Sequence, residues 1–143
     1  AEWPARMQRL RHGPLADAAP GAELWLDGGH NPAAGAAIAA TLARLPARPT
    51  WLICGMLSTK DVTGYLRPLV GHVEQLCAVS IPGESATLPA EDTAAAATAA
   101  GIPNRVAPSI AEALAVIMSE APRARVLICG SLYLAGTVLA DNG

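Results

Sequence analysis

Residues able to carry chemistry concentrate in the segment 24–32, which reads LWLDGGHNP. An apolar run stops at Asp27, passes two glycines and reaches His30 and Asn31 before Pro32. This order is typical of a strand that ends in a tight loop at the start of a helix, with the asparagine as its cap and the proline in its first position. The free amides and the dipole of such a helix favour an anion. The segment therefore predicts a ligand-binding loop.

Polar residues also follow two other strand-like runs. Lys60 and Asp61 lie in the loop that begins at Gly55, and Ser131 follows Gly130. Because the carboxyl ends of parallel strands meet at one edge of a sheet, we expect these residues to lie along the same edge as the 24–32 loop. A lysine in the first turn of a helix opposes the helix dipole, so an anionic ligand or a paired carboxylate would explain Lys60.

Each of these candidates also has a purely structural explanation. Asp27 could hydrogen-bond the amides of its own loop, and His30 could be a packed loop histidine. Asp61 follows Ser58 in a capping-box pattern, and Ser131 could cap the final helix. No second histidine or cysteine stands at metal-ligand spacing from these residues, so we expect no metal site in this chain.

The elements that must hold these loops alternate between strands and helices. Apolar runs predict strands at 3–11 (at a sheet edge), 23–26, 50–54, 73–81, 105–107 and 126–129, and helical patterns predict helices at 32–45, 60–70, 89–100, 109–120 and 131–139. The proline- and glycine-containing stretch 12–21 predicts a surface loop. This alternation predicts an α/β fold, a Rossmann-like three-layer sandwich with a mostly parallel sheet, and one domain over 1–143.

Composition limits the class of function. The chain of 143 residues is 52% hydrophobic, carries a net charge of -2 and contains no phenylalanine. This content excludes a disordered chain, and no apolar run reaches the roughly 18 residues of a membrane span. Neither nucleic acid nor a membrane is an expected partner. The cysteines stand singly in apolar runs, which indicates buried thiols in the cytoplasm.

Two nucleotide-binding motifs are missing from the sequence. It contains no G-x-G-x-x-G loop, so dinucleotide binding is weakly supported, and no G-x-x-x-x-G-K-[ST] loop, so the chain does not cradle nucleotide phosphates in a P-loop by itself. The sequence begins with alanine in the middle of a motif. We therefore expect a piece of a longer protein.

Four motifs together resemble a known family. The segments WPARMQ at 3–8, LDGGHNP at 26–32, GML at 55–57 with Lys60-Asp61, and GSLY at 130–133 resemble the C-terminal domain of the folylpolyglutamate synthase/dihydrofolate synthase family, within the Mur ligase superfamily. The resemblance covers nearly the whole chain. It implies a fold of the Mur ligase C-terminal domain type. It also implies a monomeric two-domain enzyme whose absent N-terminal ATPase domain carries the P-loop, the Mg²⁺ ligands and the pterin pocket.

The resemblance also implies a reaction. The carboxylate of dihydropteroate, or of a folate glutamate tail, is phosphorylated by ATP, and the amine of L-glutamate then attacks the acyl phosphate. This C-terminal domain would close over ATP and help to hold glutamate. By itself it would be inactive. The alternatives are a ligase domain that extends cell-wall precursors and a nucleotide-binding module without catalysis.

Site roles carry over from the family at matching positions. Arg6 would contact the ATP phosphates, and Asp27 would bind the nucleotide on its ribose side. His30 and Asn31 match positions implicated at the closed active site, which gives them an expected catalytic role. The chain departs from the family at Ala5, where a glycine is usual, and in the longer interval between Arg6 and Asp27.

The resemblance also assigns residues to the binding of the amino-acid substrate. Lys60 and Asp61 match the lysine–aspartate pair of the family, and Ser131 would lie near glutamate. We therefore expect all three to bind substrate.

Overall fold

A six-stranded sheet forms the middle layer of the computed structural model, which describes residues 6–58 and 60–142. Its strands, numbered along the chain, are β1 (Gln8–Leu10), β2 (Glu23–Asp27), β3 (Thr50–Cys54), β4 (Gln75–Ala78), β5 (Asn104–Val106) and β6 (Arg125–Cys129). Their order across the sheet is β1-β2-β6-β3-β4-β5. Only β1 runs antiparallel to its neighbour; the other pairs are parallel. The predicted mostly parallel sheet is confirmed.

Helices cover both faces of this sheet. They are α1 (Pro14–Ala18), α2 (Pro32–Arg44), α3 (Val62–Leu66), α4 (Ala90–Ala100), α5 (Ile110–Glu120) and α6 (Leu132–Asn142), with a 3₁₀ turn at Arg67–Leu69. The helices α2, α3 and α4 pack on one face, and α1, α5 and α6 pack on the other. The result is the three-layer α/β sandwich that the alternation of elements predicts.

The central strands are buried on both faces. In β3, Trp51 and Ile53 pack with α5 and α6, whereas Leu52 and Cys54 pack with α2 and α3. A continuous apolar run is typical of a parallel strand covered by helices on both sides. All the cysteines are buried and free, as their apolar surroundings predict.

The helix α2 lies unusually close to α3, and Gly35 is the reason. A Cβ added at Gly35 would stand 2.0 Å from the backbone oxygen of Tyr65, so no other residue fits without displacing one helix. The alanine-rich sequence of α2 supports the same close approach. This packing fixes the amino end of α2 relative to the sheet.

Three sequence-based boundaries were wrong. The stretch 12–21 contains the short helix α1, because Gly13 adopts a φ of 98° and Pro14 then takes the first helical position. The helix predicted at 60–70 begins later, since Asp61 is its N-cap. The strand predicted at 73–81 is shortened to β4.

Within the described residues, no helix is both long enough and apolar enough to cross a membrane.

An ion-pair network closes the amino-terminal edge of the sheet. Glu23 accepts hydrogen bonds from Trp25 Nε1 at 3.0 Å and from Arg125 Nε at 2.9 Å, and it pairs with Arg48 at 3.0 Å. Arg125 is 2% exposed and also donates to the backbone oxygen of Pro46. Burial alone would raise the pKa of Glu23, but the hydrogen bonds from Trp25 and Arg125 and the charges of both arginines hold it at about 2.

We expect Glu23→Gln to destabilise the fold at neutral pH. A carboxylate whose pKa falls from 4.5 to about 2 on folding contributes about 3 kcal/mol above pH 4.5, and this contribution is lost as the pH falls from 4.5 to 2. Urea unfolding at pH 7 and pH 2.5 measures both effects. The exposed Glu74→Gln is the control. If the free energy of unfolding changed with pH in the same way in wild type and Glu23→Gln, the stabilising role of the Glu23 ion pairs would be contradicted.

Candidate functional site at the carboxyl edge of the sheet

A groove of about 820 Å³ opens at the carboxyl ends of the strands. Asp27, Cys129 and Cys54 stand in one row across β2, β6 and β3, so the loops after these strands leave the same edge of the sheet. The groove runs from the loop after β2 along the outer side of α2, and its lining comprises Arg6, Met7, Asp27, Gly28, Gly29, His30, Asn31, Ala33, Ala34, Ala37, Ile38, Thr41 and Leu132.

The structure therefore brings four of the predicted site residues together. Arg6, Asp27, His30 and Asn31 all line the groove. Lys60, Asp61 and Ser131 do not. Within the part of the chain that the structure describes, no group of three or more His, Cys, Asp or Glu side chains could hold a metal ion.

Asp27 organises the loop after β2. Its Oδ1 accepts a hydrogen bond from the amide of Gly29 at 2.7 Å, and its Oδ2 accepts one from the amide of Met7 at 3.0 Å. The residue is 5% exposed. Burial raises the pKa of Asp27, while the two amide hydrogen bonds and the charge of Arg6 act in the opposite direction. The structural explanation offered by the sequence, a carboxylate that binds loop amides, is therefore confirmed.

The two glycines after Asp27 are required by close contacts. A Cβ at Gly28 would lie 2.5 Å from a terminal carbon of Leu132, and one at Gly29 would lie 2.6 Å from the Cβ of Ala34. Neither glycine has a positive φ. Close approach of neighbouring atoms, and not a left-handed backbone, is therefore the reason for glycine at both positions.

His30 lies half-buried in the groove wall. Its Nδ1 stands 3.4 Å from the backbone oxygen of Gly28, which accepts a hydrogen bond when Nδ1 carries the proton. In that tautomer the ring, which lines the groove, can accept a hydrogen bond or a proton through Nε2.

Asn31 caps α2 as predicted. Its Oδ1 accepts a hydrogen bond from the amide of Ala34 at 2.8 Å, and its backbone oxygen accepts one from Gly35 at 3.0 Å. Pro32 has no amide hydrogen, so Ala33 has the one first-turn amide without an acceptor among the described residues. The amino end of α2 therefore has fewer free donors for an anion than the sequence predicted. What remains is the helix dipole, the amide of Ala33 and the side-chain nitrogen of Asn31.

The lining contains residues that sequence reasoning did not select. Leu132 is 60% exposed at the start of α6 and extends the groove, and its neighbour Tyr133 is 57% exposed. On α2, the groove follows Ala33, Ala37 and Thr41, which stand four residues apart on one helix face. That spacing was visible in the sequence, but the small side chains carried no chemical signal.

Lys60 and Asp61 lie further along the same edge. Their loop follows β3, which is separated from β2 by β6. Ser58 and Met56 in this loop form backbone hydrogen bonds with the segment 86–88. Asp61 is itself the N-cap of α3 and accepts a hydrogen bond from the amide of Gly64 at 2.9 Å. The predicted capping box with Ser58 is therefore wrong, and Lys60 precedes the helix instead of lying in its first turn. Their role in binding substrate stays a prediction.

Ser131 is buried directly before α6 and does not line the groove. It is 2% exposed, and its hydroxyl oxygen accepts hydrogen bonds from the amides of Tyr133 at 3.0 Å and Leu134 at 3.4 Å. Capping α6 accounts for this side chain. Contact with a substrate would require the first turn of α6 to open, so its substrate-binding role also stays a prediction.

Comparison with known proteins places this geometry in context. Residues 5–132 match the family described as Mur ligase, glutamate ligase domain. The chain is 30% identical over 138 residues to a folylpolyglutamate synthase of Lacticaseibacillus casei, which covers 96% of this chain and 29% of that protein. The chain thus spans less than a third of the curated relative's length.

Solved structures are similar over the same range. A Mycobacterium tuberculosis folylpolyglutamate synthase complexed with ADP is 28% identical with a TM-score of 0.83, covering 98% of this chain and 32% of that one. A bifunctional folylpolyglutamate synthase/dihydrofolate synthase with Mn, AMPPNP and L-glutamate bound is 26% identical with a TM-score of 0.76. This match covers 98% of this chain and 32% of that one.

We expect Asn31→Ala to lower the stability of the chain by about 1 kcal/mol, because the amide of Ala34 loses its acceptor. For a domain of this size the melting temperature falls by roughly 2–4 °C. Asn31→Asp is the matched control, since aspartate caps a helix equally well. Thermal unfolding followed by circular dichroism measures both variants, and equal melting temperatures for Asn31→Ala and wild type would contradict the cap.

Proposed function

The chain belongs to the Mur ligase family as a glutamate ligase domain, and from that membership we propose that it is the C-terminal domain of an ATP-dependent amide ligase. The substrates are L-glutamate and dihydropteroate, or a folate with a glutamate tail. The γ-phosphoryl group of ATP is transferred to the substrate carboxylate, the amine of glutamate attacks the acyl carbon, and phosphate leaves. The products are an amide, ADP and phosphate.

One observation carries this proposal: an arginine, a histidine and an asparagine, Arg6, His30 and Asn31, line the 820 Å³ groove together with Asp27 at the carboxyl edge of the sheet. In open α/β sheets this edge is where ligands bind. The similar proteins that hold ADP, or AMPPNP with L-glutamate, support a nucleotide as the occupant. The names of these proteins support a pteroate or folate as the acceptor.

Arg6 is the residue we assign to the nucleotide phosphates. Its side chain is exposed at the groove and is close enough to Asp27 for its charge to act on that carboxyl. Phosphoryl transfer depends on positioned cations that stabilise the charge on the transferred group. A guanidinium is suited to this task because it binds phosphate oxygens in pairs.

His30 and Asn31 are the residues we assign to the closed active site. The imidazole can exchange a proton with a bound group through Nε2, and the amide nitrogen of Asn31 can donate to an oxygen. Lys60, Asp61 and Ser131 are assigned to glutamate on resemblance. A cation such as Lys60 further along the edge would suit a carboxylate.

Two parts of the reaction lie outside this chain in the proposal. The sequence has no P-loop, and the described residues do not fit a resident metal ion, so no step is assigned to a metal here. ATP and a divalent ion such as Mg²⁺ would be held by an N-terminal ATPase domain. Leu132 and Tyr133, exposed beside the groove, would face that domain when it closes.

We expect the 143-residue chain alone to have no ligase activity, because half of the cleft is missing. The longest reading frame that contains this sequence should join glutamate to dihydropteroate or to a folate in an ATP-dependent reaction. Release of phosphate and mass spectrometry of the product measure this. Activity only with a muramyl precursor would replace the proposed substrate, and turnover by the isolated chain would overturn the two-domain assignment.

We expect Arg6→Ala in the active protein to raise the KM for ATP by about 10- to 100-fold, which corresponds to a lost charge-assisted hydrogen bond. Arg11→Ala is the matched control, because Arg11 is also exposed and does not line the groove. Steady-state kinetics at varied ATP measures both variants. Equal KM values for the two variants would remove Arg6 from the site.

A further inference from the structure

Lys60 stands at the carboxyl edge of the sheet without a paired acid. The sequence offers two explanations for this cation, a paired carboxylate or an anionic ligand. Among residues 6–58 and 60–142, no acidic side chain forms an ion pair with it, so the first explanation is not found. The side chain is half-buried, and a charge partly withdrawn from water is stabilised by an anion of opposite sign. What fixes the position of Lys60 therefore matters to the anion that it would bind.

The segment 56–58, directly before Lys60, is held by backbone pairing with the segment 86–88. Two hydrogen bonds of 2.8 and 2.9 Å between amides and backbone oxygens join these segments, together with an antiparallel bridge. The amide of Lys60 then donates to the backbone oxygen of Leu57 at 3.3 Å, which closes the turn that ends at the lysine. The place of Lys60 is thus set by its pairing with a neighbouring loop, and not by a helix or a strand of its own.

Thr87 fastens that neighbouring loop to the core. Its hydroxyl oxygen accepts a hydrogen bond from the amide of Ile81 at 2.8 Å, and the hydroxyl donates to the backbone oxygen of Leu88 at 3.2 Å. Ile81 is 2% exposed and follows β4 closely, so it is anchored beside the sheet. One side chain therefore joins both ends of the loop 81–88 and supplies an acceptor to a backbone amide at the edge of the core.

We propose that Thr87 is a positioning residue for Lys60: it closes the loop 81–88 against the core, and that loop sets where the lysine meets the anionic amino-acid substrate. This inference rests on the proposed function for the identity of the anion, a carboxylate of L-glutamate. Thr87 does not line the groove that contains Arg6. Its removal should therefore weaken the binding of glutamate and leave the binding of ATP unchanged.

The first test compares two substitutions of Thr87 in the longest reading frame that contains this chain. Thr87→Val keeps the shape but removes the hydroxyl, so the KM for glutamate should rise about tenfold while the KM for ATP stays the same. Thr87→Ser keeps the hydroxyl and should retain the wild-type KM for glutamate. An unchanged KM for glutamate in Thr87→Val, or an equal rise in both KM values, would overturn the inference.

Thr98→Val is the matched control for this comparison. The Thr98 hydroxyl also donates one hydrogen bond and accepts one, but its partners are the backbone of α4 and the side chain of Asn104 at the amino end of β5. This is the edge of the sheet opposite to Lys60. Thr98→Val should therefore leave both KM values unchanged, and a rise in its KM for glutamate equal to that of Thr87→Val would overturn the inference.

The second test is a double-mutant cycle with Lys60. We expect Lys60→Ala to raise the KM for glutamate, and we expect Thr87→Val to have no further effect in that background, because both changes remove the same interaction. Full additivity of the two changes would overturn the inference while the proposed function stands. An unchanged KM for glutamate in Lys60→Ala would overturn it as well.

The third test uses no substrate. Hydrogen exchange of the Ile81 and Ser58 amides, followed by NMR in the 143-residue chain, should be slow in the wild type and in Thr87→Ser and fast in Thr87→Val. The amide of Val79, bound to β3, should stay slow in all three and shows that the sheet is folded. Slow exchange of Ser58 in Thr87→Val would overturn the inference. A reading frame that joins no glutamate would contradict the proposed function, and the exchange rates would still decide whether Thr87 holds the segment 56–58.

Discussion

The architecture of the groove depends on the buried carboxylate of Asp27. Burying a carboxylate is unfavourable unless hydrogen bonds replace its lost water, and here two backbone amides from separate parts of the chain do so. One comes from the start of β1 and the other from the loop after β2. The segment that enters the edge strand and the glycine loop that leads into α2 are therefore held relative to each other by a single side chain.

The two acids at the ends of β2 illustrate how one strand serves two purposes. Glu23 faces arginines at the amino end, and its pKa is lowered to about 2 because its charge is paired. Asp27 at the carboxyl end is bound by amides, and its pKa is raised because burial outweighs them. The paired charge stabilises the sheet. The amide-bound carboxylate shapes a loop beside a groove that is open to a ligand.

The sequence predicted most of this fold because its apolar runs are short and unambiguous. The runs at Thr50–Cys54 and Arg125–Cys129 are buried throughout, and Asn31 with Pro32 marks the start of α2. What it did not predict depends on contacts rather than periodicity. The short helix α1 depends on a single turn at Gly13, and the left-handed backbone of Met7, with a φ of 41°, depends on an acceptor twenty residues away.

The order of the strands across the sheet could not be predicted from the sequence. Lys60 and Asp61 were placed on the correct edge, but the last strand, β6, lies between β2 and β3. Two inter-strand spacings, roughly 10 Å, therefore separate their loop from that of Asp27. Nothing in the spacing of motifs along the chain encodes this insertion, because a crossover connection leaves no local signal. The position of Arg6, by contrast, results from the antiparallel pairing of β1 with β2, because this pairing places the start of β1 beside the end of β2.

Under the proposed function this chain forms one half of a cleft, which places a particular demand on its structure. If a phosphate-binding arginine were held by a free turn, domain closure would have to order that turn, and the lost conformational freedom would weaken binding. A turn fixed within the folded domain avoids this cost. The left-handed turn at Met7 is stabilised by the same carboxylate that orders the glycine loop, so folding of the sheet by itself shapes both sides of the groove. Under the proposed function, the arginine and the histidine loop would therefore meet the nucleotide as one rigid unit.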